Sequence, residues 1–167
     1  MATDTDDKSD VSSSGMRKSD VSSSGLRWIE QVSSSVSWAY CGDLLIAFNR
    51  PEPIPDDLFE TFVRSVSRKA PTKLLATSTG PASIAGHQRK RFAELFRHCK
   101  VSAVSDHRVT RGIITAMGWL GLQIRAASWD NLREAIDYLE PNGTTAADVQ
   151  ALTLKLRDKS MRLDSVA

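Results

Sequence analysis

From Ser35 the chain alternates: Val36, Trp38 and Tyr40 fall on one side, Cys41-Gly42-Asp43 supplies a turn, and Leu44 to Phe48 follows as an apolar run. A period of two marks a half-buried strand, and a short unbroken apolar run marks a buried one, so the segment predicts a β-hairpin. Whether Trp28 to Val32 forms an earlier strand is left open by its pattern. Pro51, Pro53 and Pro55 keep the next stretch extended, and Pro55 suits a helix start, with Asp56 and Asp57 at the positive end of the helix dipole. Phe59, Phe62, Val63 and Val66 recur at helical spacing, and the helix must stop before Pro71, because a residue preceding proline is driven out of the helical region.

Residues 73 to 112 are the centre of the chain. Lys73 to Ser78 reads as a strand, with Leu74, Leu75 and Ala76 bounded by Pro71 and Gly80-Pro81. A helix follows from Ile84, with Phe92, Leu95, Phe96 and Cys99 as one buried stripe. Val101 to Val104 is a further strand, and Ser105 or Asp106 is placed to cap a helix whose stripe is Val109, Ile113, Ala116, Met117 and Leu120. Parallel neighbouring strands would bring both helix starts to one sheet edge. Gln123 to Ala126 reads as the last strand. Asp130 then caps a helix carrying Leu132, Ala135, Ile136 and Leu139, which Pro141-Asn142-Gly143 ends. Thr145 and Asp148 form a capping box for a final helix through Val149, Leu152 and Leu156, and this thin stripe predicts a helix that packs loosely or docks on a partner, then frays.

The expected fold is therefore α/β, a mixed sheet of about five strands with flanking helices. The expected divisions are a tail over 1–27, a domain over 28–141 and an accessory helix with a frayed end over 142–167. The length of 167 residues and the 41% hydrophobic content suit one domain with appendages. Residues 8 to 17, KSDVSSSGMR, are repeated at 18 to 27 as KSDVSSSGLR. So little apolar surface cannot offset chain entropy, and disorder is expected there. A net charge of +2 announces neither a nucleic-acid nor a membrane-surface protein. Charge is concentrated locally: residues 87 to 111 hold seven Lys or Arg against Glu94 and Asp106. Cys41 and Cys99 lack metal-site spacing, so neither zinc nor a disulfide framework is indicated. No apolar run reaches the ~20 residues of a membrane span, and the polar start lacks a secretory pattern, so a cytoplasmic protein is expected.

The order hairpin, helix, strand, helix, strand, helix, strand, helix over residues 35 to 140, closing with MGWLGLQIRAASWDNLREAIDYLE, resembles the STAS domain of bacterial anti-sigma-factor antagonists, in its divergent SpoIIAA-like branch. The resemblance implies a non-catalytic switch that binds another protein through the face at the start of its second helix. Many members carry a phosphorylated Ser or Thr there. The matching segment is TSTGPASIAG, with Ser83 as the nearest equivalent and Thr79 and Ser78 beside it.

Phosphate on Ser83 would be stabilised at a helix N-terminus, within range of Arg89 or Arg108; the plainer reading makes Ser83 an N-cap. His87, Arg89, Lys90 and Arg91, with His107, Arg108 and Arg111, are candidates for one anion-binding patch on a shared sheet edge. Nucleic acid is disfavoured, since no aromatic residues interleave with these charges. Neither GxxxxGK[ST] nor GxGxxG is present, no nucleophile stands at a diagnostic spacing from a histidine, and neither a catalytic residue nor a cofactor is expected. The expectation is a regulatory or scaffolding module binding another protein, a kinase or an acidic regulatory partner, with homo-oligomerisation left open. The alternatives are a small anion- or nucleotide-binding domain using the patch, and an assembly component docking through the N-terminal repeat.

Overall fold

The computed structural model describes residues 27–166. The repeat and the tail expected to be disordered lie outside the described residues, except Arg27, which opens a strand and pairs with Asp148 at 2.6 Å. Six strands, not about five, form one sheet in chain order: β1 (Arg27–Gln31), β2 (Val36–Cys41), β3 (Leu44–Asn49), β4 (Lys73–Ser78), β5 (Lys100–Val104) and β6 (Gln123–Ala127). The extra strand is β1, whose register on β2 shifts between Ile29 and Gln31; that irregularity breaks the alternation by which a strand is read. β1, β2 and β3 are antiparallel neighbours, and β3 to β6 are parallel.

The parallel strands are joined by α1 (Asp56–Lys69), α2 (Gly86–Leu95) and α3 (Arg108–Trp119). These helices cover one face of the sheet, where Trp38, Tyr40, Leu45 and Leu74 meet Phe59, Phe62, Phe96 and Met117. Past β6 and a single 3-10 turn (Trp129–Asn131), α4 (Leu132–Leu139) and α5 (Ala146–Arg162) cover the other face. There Ala39, Cys41, Ile46 and Phe48 meet Ile136, Leu139, Val149 and Leu156. Covering on both sides explains why β3 reads as an unbroken apolar run. The cap of α4 is Asn131 rather than Asp130.

α5 is not loosely packed. Val149 and Leu156 have no exposed surface, and the stripe between and beyond them is completed by buried Thr153 and Ser160. Their hydroxyls are satisfied internally, Thr153 donating to Val149 O and Ser160 to Ser33 O, so polar residues fill core positions without leaving an unpaired group. Thr145 caps the helix by accepting from Asp148 N at 3.1 Å. At its other end, Arg50 is only 5% exposed; its Nη1 donates to Ser160 O at 3.1 Å and its Nη2 pairs with Glu52 and Asp164. The end of β3 is thus tied to the end of α5.

The hairpin turn is fixed from outside as well. Gly42 has φ 60, and a Cβ there would stand 2.6 Å from Asn142 O, so only glycine fits. Asp43 accepts from Thr72 Oγ1, Asn142 N and Asn142 Nδ2, and pairs with Lys73 at 3.0 Å. Burial pushes its carboxyl up, but these bonds outweigh that and hold it below the ordinary 3.8. A depressed folded value contributes stability above the ordinary value and loses it as pH falls through the folded one. Asp43→Asn should therefore flatten the acid limb of a plot of melting temperature against pH. Identical acid limbs in the two proteins would assign acid sensitivity to other carboxylates.

Candidate functional site

Because β4 and β5 are parallel neighbours, the loops leaving them emerge from the same rim, and the structure staples them together. Thr110 Oγ1, in the first turn of α3, donates to Gly80 O at 3.1 Å and accepts from Ala82 N at 3.0 Å. Ser83 is thereby held beside the start of α3. It is not a cap: α2 begins after Ala85, which has no side-chain acceptor, and Gln88 does the work instead. Gln88 is 1% exposed; its Oε1 accepts from Ala85 N, while its Nε2 donates to Ile54 O at 2.8 Å and Asp56 Oδ1 at 2.9 Å. One buried amide locks the start of α2 to the start of α1. At α3 the cap is His107, whose Nδ1 accepts from Val109 N. Ser105 Oγ accepts from His107 N, and Asp106 instead accepts from Trp129 N.

Between these helix starts runs an open groove of ≈ 370 Å³ whose walls include Ile54, Ile84, Val109 and Ile113, with Ser83 and Arg89 among them. Ile84 also lines an adjoining apolar pocket of ≈ 60 Å³, together with Phe92, Ile114 and Met117. Among the described residues, no carboxylate lines the groove. Val109 is 58% exposed, which corrects the stripe expected for α3: its buried residues are Thr110, Ile114 and Met117, and Leu120 is also exposed. α3 is apolar on more than one side, so periodicity alone admits two orientations.

The basic residues do not gather into one patch. His87 Nε2 pairs with Asp56 Oδ1 at 2.8 Å, and His87 and Arg91 line a separate shallow groove with Asp56, Phe59 and Glu60, where the signs are mixed. Hydrogen bonds from His87 and Gln88 hold the Asp56 carboxyl below its usual range. Lys90 is exposed, and Arg108 and Arg111 are exposed on α3 without lining the groove. Arg111 Nε makes a long contact of 3.5 Å with Ser105 O. Of the candidate basic residues, Arg89 alone lines the groove beside Ser83. Ser78 is 4% exposed at the end of β4, below the rim, and Thr79 is half-buried with its amide donating to Asn49 O. Ser83 is therefore the more accessible of the two serines named for phosphorylation. Cys99 is a buried thiol donating to Pro71 O, and burial pushes its pKa up.

Among the described residues, no group of three His, Cys, Asp or Glu side chains is placed to hold a metal ion, and no helix is long and apolar enough to cross a membrane. No protein-family model matches the chain, and no curated protein or solved structure matches it significantly. Fold and groove define an α/β protein with a mixed six-stranded sheet and a recess with aliphatic walls at the rim of its parallel half.

Proposed function

We propose that the chain is a non-catalytic regulatory or scaffolding module of STAS type that captures another protein in the groove between the β4–α2 loop and α3. The observation that carries this reading is Val109, an aliphatic side chain 58% exposed on the wall of a recess that also holds Ile54, Ile84 and Ile113. Exposed apolar surface grouped in a concave site is the usual mark of an interaction surface. Arg89 in the same groove, with no carboxylate among the described lining residues, favours a partner presenting an apolar side chain flanked by acidic groups. Phosphate on Ser83 would add negative charge to that wall and repel such a partner, giving a switch. The STAS resemblance in element order supports the same reading.

The test is affinity capture from the protein's own cells with wild type, Val109→Asp, Arg89→Glu and Ser83→Asp. Val109→Asp is expected to reduce recovery of a specific partner about tenfold or more, as for a central contact worth upwards of ~1.4 kcal/mol. Undiminished recovery with Val109→Asp and Arg89→Glu together would remove the groove as the binding site. If instead a nucleotide raises the melting temperature and Arg89→Ala cancels the rise, the site is one for a small anion.

A further inference from the structure

The chain has four tryptophans, and three are covered. Trp38 is buried, Trp28 stacks on Tyr40 beneath the Lys69 ammonium, and Trp129 packs between Phe48 and the Arg157 guanidinium. Trp119, at the end of α3, is 85% exposed. An indole buries more apolar surface than almost any other side chain, so one left bare on a helix is informative where a bare leucine would not be.

At about 100° per residue, Arg108, Gly112, Thr115 and Trp119 fall in one row on the side of α3 opposite its buried residues Thr110, Ile114 and Met117. All four are exposed. Glycine is the least favourable helix residue after proline, and among the described residues nothing requires Gly112, since a Cβ on it would meet none of their atoms within 4 Å. A second helix packed closely on this row would supply the reason. The row is also symmetrical about its midpoint: Arg108 stands four residues before Gly112, and Trp119 stands four after Thr115. Laid antiparallel on a copy of itself, it sets each Arg108 against Trp119 of the other copy, and each Gly112 against Thr115. α3 contains no carboxylate to compete for the guanidinium. A cation over an aromatic face is attracted to it, and this chain already uses that contact at Lys69 with Trp28 and at Arg157 with Trp129.

We infer that a second copy of this chain docks antiparallel on α3, forming a two-fold dimer held by reciprocal Arg108–Trp119 contacts. Each contact is made twice, as a two-fold interface requires. A 12-residue helix is only about 18 Å long, which places the buried area at the low end for specific interfaces, so the dimer is weak and reversible. None of the four residues lines the groove, so this inference stands or falls separately from the partner-binding reading.

Sedimentation equilibrium of the full chain over rising concentration reads it directly. The mass should climb from 18.4 kDa toward twice that value, with a blue shift of tryptophan emission. Trp119→Ala and Gly112→Leu should each move dimerisation to at least tenfold higher concentration. Gly112→Leu should at the same time raise the melting temperature of the dilute monomer, which separates a lost interface from a damaged fold. Arg108→Lys should weaken the dimer less than Arg108→Ala. A monomer at every concentration, or a dimer unaffected by Trp119→Ala and Gly112→Leu, overturns the inference. So does a blue-shifted Trp119 in the dilute monomer that deletion of residues 1–26 abolishes, because the tail would then be the cover.

Discussion

Replacing Leu156 by alanine should destabilise the protein by about 2–5 kcal/mol, the usual range for emptying a fully buried leucine site. Leu156 has no exposed surface and packs with Ile46, Phe48, Ile136 and Leu139 on the α4–α5 face of the sheet. The lost transfer energy and the residual void act together, because β2, β3 and α4 are each held by other contacts and cannot close the gap. For a chain of this size, the melting temperature should fall by roughly 4–20 °C. Met161→Ala is the control: Met161 is 45% exposed on the same helix, and its truncation should change stability by no more than ~0.5 kcal/mol. Equal, small effects from the two substitutions in urea titrations would mean that α5 is a detachable appendage and not part of the core.

On the opposite face, Phe62→Ala should cost about 3–5 kcal/mol. Phe62 is 3% exposed and is the hub of an aromatic cluster, with ring centroids 5.3 Å from Trp38, 6.3 Å from Phe59, 6.4 Å from Phe92 and 6.1 Å from Phe96. The Phe62 ring lies edge-on to Trp38, tilted to Phe59 and Phe96 and parallel to Phe92, and rings at these separations attract one another beyond the effect of burial alone. The cluster also joins α1 to α2, so its loss should reduce near-ultraviolet dichroism while far-ultraviolet dichroism stays close to wild type. A loss under ~1 kcal/mol would show that the surrounding rings relax into the void.

The elements easiest to read in the sequence were those whose side chains obey a single period. β4 begins and ends at the residues its apolar run suggests, and the β2–β3 hairpin places Val36, Trp38 and Tyr40 on one face as their alternation requires. What escaped the pattern has local causes. β1 has an irregular register, and α5 fills two core positions with Thr153 and Ser160, whose hydroxyls bond to backbone carbonyls and so pass for surface residues. α3 is apolar on more than one side, and the orientation that buries Thr110 also exposes Val109. The rim itself was legible, because strand-helix repeats with parallel pairing bring successive helix starts together. The composition of the groove was not. Ser83 resembles a cap only while Gln88 is ignored, and a glutamine satisfied by Ile54 O and Asp56 depends on contacts more than thirty residues away. Charge runs likewise conceal direction: His87, Arg89 and Arg108 are near in sequence but face α1, the groove and open solvent respectively.

Strands added strictly in chain order have a consequence for synthesis on the ribosome. Each newly emerged strand finds its neighbour already present at the growing edge, so the α1–α3 side can assemble as it appears, through pairings of modest sequence separation. The reverse side follows another schedule. Ala39, Cys41, Ile46 and Phe48 emerge early, yet they await α4 and then α5, about a hundred residues later, for their cover. A ribosome stalled before residue 146 would display a sticky, half-dressed sheet, and nascent chains arrested there should be the ones that chaperones hold longest.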